Sequence, residues 1–352
     1  MSQLVVATAV VAVAVLSGCS CGKKSNSSVG PSAEFTGLAA VPGSAEVIIG
    51  VNVAKVSQSP IIERAIDQLF LRETSLLTNW QAMREGCKIE IGKQVKHITL
   101  ALGPTPAGGK PGTGPLLAVA TGNIPEHDLA ECITKLVGKG KGTVAGKDVG
   151  GRTVYQVKDG ERMMIFAFGR ADTVVLGNQE AFVLEALGTG AKAIDQPETS
   201  KLLKMVNQNA PIWAVGRIDE RVRPGLVRVM KGKMKAGPTA AIATIDLTTG
   251  AKIDIGIATS SAEDAKALES QAIDEKRLMA SAFQGNPTLG KLISKIDVNY
   301  DGSLVWLRVG LDIEDVNRVL NAIDARKPSE QISPPPSGSG SPSDQKDSPK
   351  NP

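Results

Sequence analysis

Two histidines, His97 and His127, are the side chains of this 352-residue sequence best suited to acid–base or metal chemistry. Alternation along the stretch 96–102 places His97 on the face of a strand opposite Ile98. His127 lies in the first turn of a predicted helix. Because neither histidine has a carboxylate or a cysteine at metal-ligand spacing, we expect both to have structural or solvent-exposed roles.

Motifs for nucleotide binding and nucleophilic catalysis are incomplete. In the glycine-rich stretch 138–148, three residues separate Gly142 from Gly146, where a phosphate loop has four, and Asp148 replaces the Ser or Thr that would bind magnesium. We expect this stretch to be a mobile basic connector. We also expect no catalytic residues, no cofactor and no bound metal. An enzyme would instead need a cleft with converging carboxylates and shifted pKa values.

Four cysteines divide into a pair near the N-terminus, Cys19 and Cys21, and a pair in the body, Cys87 and Cys132. Cys19 ends the stretch Leu16-Ser17-Gly18-Cys19, which closes an apolar run that begins at Leu4. This run is shorter than the ~20 residues that cross a bilayer as a helix. Its length is typical of the hydrophobic region of a signal peptide.

The stretch Leu16–Cys19 resembles the lipobox of bacterial lipoproteins. The resemblance implies that a diacylglycerol is attached to the Cys19 sulfur and that signal peptidase II then cuts before Cys19. Residues 1–18 would be the signal peptide, and the chain would reach a membrane through its lipid. Met1-Ser2-Gln3 lacks the usual basic charge, so an upstream start, an unlipidated cleaved signal and a retained hydrophobic N-terminus stay open.

By the enterobacterial sorting rule, Ser20 after the cysteine favours the outer membrane over the inner one. The protein would then face the periplasm or the cell surface. Disulfides persist in that compartment, and two helices on one sheet face could bring Cys87 and Cys132 together. We therefore expect a Cys87–Cys132 disulfide, with two buried free thiols as the alternative.

Charge and composition limit the partners. With 40 basic and 36 acidic residues the net charge is +4, and aromatic residues make up 3% of the chain. A nearly balanced charge gives no electrostatic basis for binding nucleic acid, and few aromatic side chains are available to stack on bases or sugars. We expect no nucleic-acid partner.

Composition and patterning divide the chain into five parts. We predict a signal peptide (1–18), a flexible tether (19–40), a first α+β subdomain (41–209), a second α+β subdomain (210–325) and a disordered Pro/Ser/Gly-rich tail (326–352). Both halves of the body show the order strand, helix, strand, strand, helix, then hairpin and helix, and Pro211–Gly216 corresponds to Ala45–Gly50. Asp159-Gly160 and Asp301-Gly302, each between apolar stretches, indicate hairpin turns, and Ser59-Pro60 indicates a helix start. Consecutive hairpins predict an α+β fold with antiparallel sheets and helices packed on one face. Two similar subdomains are expected, with one continuous curved sheet as the alternative.

Helical patterns extend over 59–84 and 223–235. The second carries a basic cluster that we define as Arg221, Arg223, Arg228, Lys231, Lys233 and Lys235. A basic amphipathic helix can lie on an anionic surface such as lipid headgroups or an acidic partner. The alternative is a packed helix whose basic side faces water.

These observations favour a lipid-anchored envelope protein that acts by binding or scaffolding, with an envelope protein or a lipid as its partner. The alternative is a carrier of a hydrophobic ligand on a curved antiparallel sheet. The aliphatic, aromatic-poor strands are compatible with such a carrier.

Overall fold

The computed structural model describes residues 32–87, 91–110, 112–139, 142–229, 233–283 and 287–324. The strands in these ranges are β1 (Val47–Asn52), β2 (Val95–Leu102), β3 (Leu116–Gly122), β4 (Thr143–Val149), β5 (Arg152–Asp159), β6 (Arg162–Arg170), β7 (Thr173–Gly177), β8 (Ile212–Arg217), β9 (Pro238–Asp246), β10 (Gly250–Thr259), β11 (Ile296–Asp301) and β12 (Leu304–Asp312).

The α-helices of the same ranges are α1 (Ala33–Thr36), α2 (Val53–Val56), α3 (Pro60–Arg72), α4 (Thr74–Gly86), α5 (Ile91–Gln94), α6 (Glu126–Lys139), α7 (Glu180–Leu187), α8 (Pro197–Met205), α9 (Arg223–Val229), α10 (Ala262–Ala282), α11 (Pro287–Ser294) and α12 (Ile313–Asp324). Short 3₁₀ helices occur at Leu38–Ala40 and Ala193–Asp195.

All strands of the described residues form one antiparallel sheet in the order β11-β12-β10-β9-β8-β1-β2-β3-β7-β6-β5-β4. Asp159-Gly160 and Asp301-Gly302 form the turns of the β5–β6 and β11–β12 hairpins. Gly160 has φ 61° and Gly302 has φ 56°, values in the left-handed region that tight hairpin turns require. The predicted α+β class with antiparallel pairing is confirmed.

The two halves of the body repeat a strand order and share one sheet. β8, β9 and β10 pair in succession as β1, β2 and β3 do, and β12 pairs with β10 as β7 pairs with β3. The halves meet where β1 pairs with β8. The sheet therefore runs unbroken from one half into the other.

Two complementary residue pairs form this joint between the halves. Gly50 lies opposite Trp213, and Val47 lies opposite Gly216. Because Trp213 corresponds to Val47 and Gly216 to Gly50 in the sequence comparison, exchanging the halves converts one pair into the other. A Cβ added to Gly50 would lie 2.1 Å from Cε2 of Trp213. The indole thus occupies the space that a side chain at position 50 would need.

Helices cover both faces of the first half, which corrects the expected packing on one face. Successive residues of one strand, such as Val174 and Val175 of β7, point to opposite faces and belong to different core clusters. The cluster that contains Val175 includes side chains of α7 and α8, and the cluster that contains Val174 includes side chains of α2 and α6. The physical reason is the continuous apolar run of β6, since a strand buried on both faces has no polar side.

Three predicted elements differ from the structure. The helical pattern over 59–84 forms two helices, α3 and α4, because Glu73 leaves the helical region with φ −121° and ψ 76°. Ser59 caps α3 as its sequence suggested, and its hydroxyl accepts a hydrogen bond from the Ile62 N–H. The helix predicted over 223–235 does not include residues 233–235, which are not helical; α9 is described over Arg223–Val229. Residues 143–148 of the predicted connector belong to the edge strand β4.

The folded body begins before the predicted end of the tether. Ser32 caps α1 through its hydroxyl, and Leu38 in the following 3₁₀ helix is buried in the core. The remaining tether residues and the tail predicted over 326–352 lie outside the described residues.

Candidate functional site

The first helix of the body is fastened to the centre of the sheet. The Thr99 hydroxyl of β2 donates a hydrogen bond to the Thr36 carbonyl, and the Thr121 hydroxyl of β3 donates one to the Phe35 carbonyl, at 2.8 Å. Carbonyls in the last turn of a helix have no partner within the helix, so the two hydroxyls satisfy groups that would otherwise need water. We call this arrangement of Thr99, Thr121 and α1 the entry clamp.

His97 lies at the entry clamp, on the same face of β2 as Thr99, as alternation predicted. Its ring meets the Phe35 ring edge-on at 4.7 Å between centroids, and its Nε2 lies 3.4 Å from Nδ2 of Asn52. Its Nδ1 is buried and has no hydrogen-bond partner within the described part of the chain. Burial, with smaller contributions from Lys55 and Lys96, lowers the pKa of His97 from 6.5 to about 4. A neutral, structural histidine is therefore favoured at neutral pH.

The low pKa of His97 predicts an acid-sensitive fold. The unfolded chain binds a proton at His97 near pH 6.5, and the folded chain does so only near pH 4. The free energy of unfolding therefore decreases as the pH is lowered through this window. This group alone is expected to lower the free energy of unfolding by roughly 3 kcal/mol between the two pH values. Denaturant unfolding measured at several pH values should show this loss in the wild type and a flatter profile for His97→Gln.

The control for this prediction is His127→Gln, because His127 is exposed in the first turn of α6. Parallel pH profiles for wild type and His97→Gln would contradict the assigned role of His97.

Cys87 and Cys132 form a disulfide with their Cα atoms 5.0 Å apart, as predicted. The bond joins the end of α4 to the middle of α6, and Cys132 is buried in the core cluster that α6 shares with β5–β7. It therefore fastens the α3–α4 arm to the sheet.

Four of the five described members of the basic cluster have acidic partners. Arg221 donates from Nε to both oxygens of Asp219, at 2.8 and 3.0 Å, and Arg223 lies 3.7 Å from Glu220. Lys233 lies 3.5 Å from Asp274, and Lys235 lies 2.7 Å from Glu263. Arg228 is exposed, and Lys231 lies outside the described residues. Much of the charge expected to face an anionic surface is thus balanced locally.

An apolar surface that the sequence did not single out lies on the sheet of the second half. Two cross-strand rows form it, Ile245–Ile253–Val309 and Ala243–Ile255–Leu307; we call these six residues the apolar strip. Ile255 is 38% exposed although it lies in the middle of β10, and the other five are half-buried. Alternation predicts which residues share this face, but it does not predict which helices cover them.

Helices leave the apolar strip partly open. α12 covers one end of this face, where Val316 and Leu320 pack near Ala251 and Leu311. The opposite face of the same strands is mixed: Ile242, Ala258 and Trp306 pack in a core cluster. Polar groups lie beside them, with Arg308 Nε 3.9 Å from Asp254. The strip is therefore an aliphatic surface that is partly accessible, most of all at Ile255.

The proposed lipid site and its motif, Leu16–Cys19, lie outside the described residues, as does Cys21. In the ranges that the structure describes, no helix combines the length and apolar character needed to cross a membrane. The His, Cys, Asp and Glu side chains of those ranges include no cluster arranged to hold a metal ion.

The fold and these surfaces define an α+β protein built on one large antiparallel sheet. No family model and no curated protein matches the chain. Two solved structures are similar to it. Crystal form III of TP0453 has a TM-score of 0.47 and 10% identity, covering 81% of this chain and 97% of that one. Crystal form I of TP0453 has a TM-score of 0.43 and 10% identity, covering 81% of this chain and 96% of that one.

Proposed function

We propose that this chain is a lipid-anchored protein of the bacterial cell envelope that acts by binding or scaffolding and not by catalysis. The observation that carries the proposal is the stretch Leu16–Cys19 after a short apolar run, which resembles the lipobox of a bacterial lipoprotein signal. The expected location is the outer membrane, with the body facing the periplasm or the cell surface.

The entry clamp supports this proposal mechanically. Ser32, the first described residue, is separated from Cys19 by a segment that spans at most about 45 Å when fully extended. α1 is hydrogen-bonded to β2 and β3, near the middle of the sheet. An anchor at Cys19 would therefore hold the body close to the membrane and transmit its pull to the middle of the sheet.

Membrane fractionation of cells that are fed a labelled fatty acid, and that produce variants with one cysteine replaced, tests the anchor. Wild type is expected in the membrane fraction with the label attached, because acyl chains contribute about 0.8 kcal/mol per buried methylene. Cys19→Ser is expected to carry no label and to keep residues 1–18, since cleavage follows lipid attachment. Cys21→Ser is the matched control, since it removes a neighbouring thiol and leaves the lipobox intact. Equal behaviour of the two variants would refute lipidation at Cys19.

A second candidate function is transport of a hydrophobic ligand such as a lipid. The partly open apolar strip favours it, since an acyl chain lying on Ile255 and its neighbours would remove apolar surface from water at about 25 cal/mol per Å². The strip lies on aliphatic strands, with which a carrier of this kind is compatible.

An acidic substitution in the strip tests the carrier function. Ile255→Glu is expected to weaken binding of a fluorescent palmitic acid analogue by at least about tenfold, because an apolar ligand would desolvate the carboxylate. Lys252→Glu is the control, because it introduces the same side chain at an exposed position on the other face of β10. Unchanged binding by Ile255→Glu, with far-UV circular dichroism showing intact folding, would exclude the strip as the ligand site.

A further inference from the structure

Three basic side chains converge on a cleft at the start of the folded body. Arg152 of β5, Arg170 of β6 and Lys192 after α7 line a cavity of about 200 Å³ together with Glu34 of α1. We call this cavity the basic cleft. Glu34 lies 3.4 Å from Arg170 Nη1, and Asp172, beside the cleft, lies 3.7 Å from Arg170 Nε. Three cations against these two carboxylates leave a net positive charge.

A β-bulge directs Arg170 into the basic cleft. The register of β6 against β7 slips between Phe168 and Arg170, so that Arg170 pairs with Thr173. Without the slip, alternation would place Arg170 on the same face as the buried Phe168. With it, Arg170 lies on the face of Thr173 and Val175, which also line the cleft. Bulges of this kind commonly re-aim a side chain at a functional site.

The other two cations reach the cleft across the end of α7. Arg152 Nη1 donates to the Leu187 carbonyl at 3.2 Å, and Lys192 Nζ donates to the carbonyls of Glu185 and Ala186 at 3.0 and 2.9 Å. These carbonyls belong to the negative end of the helix dipole. Carbonyl oxygens thus hold the charged groups of Arg152 and Lys192 in place, and these hydrogen bonds involve no carboxylate.

The carboxylates near Lys192 are engaged elsewhere. Glu185 accepts hydrogen bonds from the Ser44 hydroxyl at 3.0 and 3.1 Å, and Asp195 accepts one from the Lys192 backbone N–H at 3.3 Å. Burial lowers the pKa of Lys192, against the opposing effect of these two carboxylates. A bound anion would offset that cost of burial.

Small residues shape the walls of the cleft. Gly37, Ala39, Ala40, Gly169 and Gly188 line it. Their backbones leave room for an anionic group between the cations. Two arginines can each present two parallel N–H donors to a phosphate, and a lysine adds a point charge. The volume suits a headgroup-sized group and excludes a folded partner.

We propose that the basic cleft binds a phosphate group, and that this phosphate is carried by an anionic phospholipid of the membrane to which the chain is anchored. The assignment to a phospholipid rests on the proposed lipid anchor, because Glu34 and Gly37 place the cleft where the chain from Cys19 enters the body. Bound in this way, a headgroup would fix the orientation of the sheet relative to the membrane.

The test uses residues 19–352 with Cys19→Ser, produced without residues 1–18, so that vesicle binding comes neither from the lipid nor from the apolar run that begins at Leu4. Titration with inorganic phosphate by calorimetry measures the phosphate site. Sedimentation with vesicles of phosphatidylglycerol and phosphatidylcholine, compared with phosphatidylcholine alone, measures the headgroup. The expected result is binding of phosphate and of the anionic vesicles, with phosphate competing for the vesicle-bound protein.

Arg170→Gln in the same background is expected to weaken both interactions by roughly tenfold or more, as loss of a charge-assisted hydrogen bond does. Arg170 is chosen because it is exposed and does not cap α7. Arg162→Gln is the matched control, since it removes the same charge at the other end of β6. Equal losses from the two variants would overturn the proposal, because only overall charge would then matter.

Other outcomes are also decisive. Binding of neither probe overturns the phosphate site. Binding of phosphate without anionic vesicles supports the site and overturns its assignment to a lipid headgroup. Because the experiment uses unlipidated protein, it can fail while Cys19 fractionation succeeds, and the reverse also holds.

Discussion

Replacing Cys87 and Cys132 together with alanine is expected to lower the free energy of unfolding by about 4 kcal/mol. The disulfide closes a loop with a sequence separation of 45 residues. In the chain-entropy model, closing such a loop lowers the conformational entropy of the unfolded chain, which raises the free energy of unfolding by about 4 kcal/mol. The α3–α4 arm would then be held by side-chain packing and by hydrogen bonds at its first helix, such as those from Arg64 to Asn317 and Asn321.

Denaturant unfolding of the wild type and the double variant, each with and without reductant, measures this contribution. Reductant should destabilise the wild type by the same amount as the double substitution and should leave the double variant unchanged. A difference below about 1 kcal/mol between oxidised wild type and the double variant would show that the bond adds little to stability.

Gly50→Ala is expected to cost about 3 kcal/mol or more, because the added methyl group would collide with the Trp213 indole at the joint between the halves. Gly216→Ala is the matched control from the other half. A Cβ there would lie 3.2 Å from Cγ2 of Val47, a contact that a small side-chain shift can relieve. Its expected cost is below about 1 kcal/mol.

Urea unfolding of both glycine variants, with a double-mutant cycle, tests the joint. Combining Gly50→Ala with Trp213→Leu should cost less than the sum of the two single changes, because the smaller side chain relieves the collision. Equal stability of Gly50→Ala and Gly216→Ala would contradict the assigned role of the indole.

Local sequence signals predicted the local structure well. Asp159-Gly160 and Asp301-Gly302 formed hairpin turns, because glycine adopts their left-handed conformation without strain. Ser59-Pro60 marked a helix start, since the serine hydroxyl caps the first turn. Such features depend on a few neighbouring residues, and a single sequence contains all of them.

Long-range pairing could not be predicted in the same way. The pairing of β1 with β8 depends on the fit of Trp213 over Gly50, across a large separation in sequence. The basic cluster looked unbalanced because Glu263 and Asp274 lie in a later helix. The slip that directs Arg170 into the basic cleft is a property of strand register and has no short sequence signal.

The hydrogen bonds of the entry clamp could have been predicted from the sequence. Alternation had already placed Thr99 with His97 on one face of β2. A buried hydroxyl on a strand needs an acceptor, and the last carbonyls of a short helix supply one. The missing information was that the chain becomes helical directly after Ser32, where the tether was expected to continue.

Mass spectrometry of the N-terminal peptide tests the lipid anchor most directly. Trypsin cleavage after Lys23 of the mature protein should release the peptide Cys19–Lys23. This account predicts that the peptide begins at Cys19 and carries the mass of a diacylglycerol on its sulfur. A mature chain that retains residues before Cys19, or that begins at an unmodified Cys19, would contradict it.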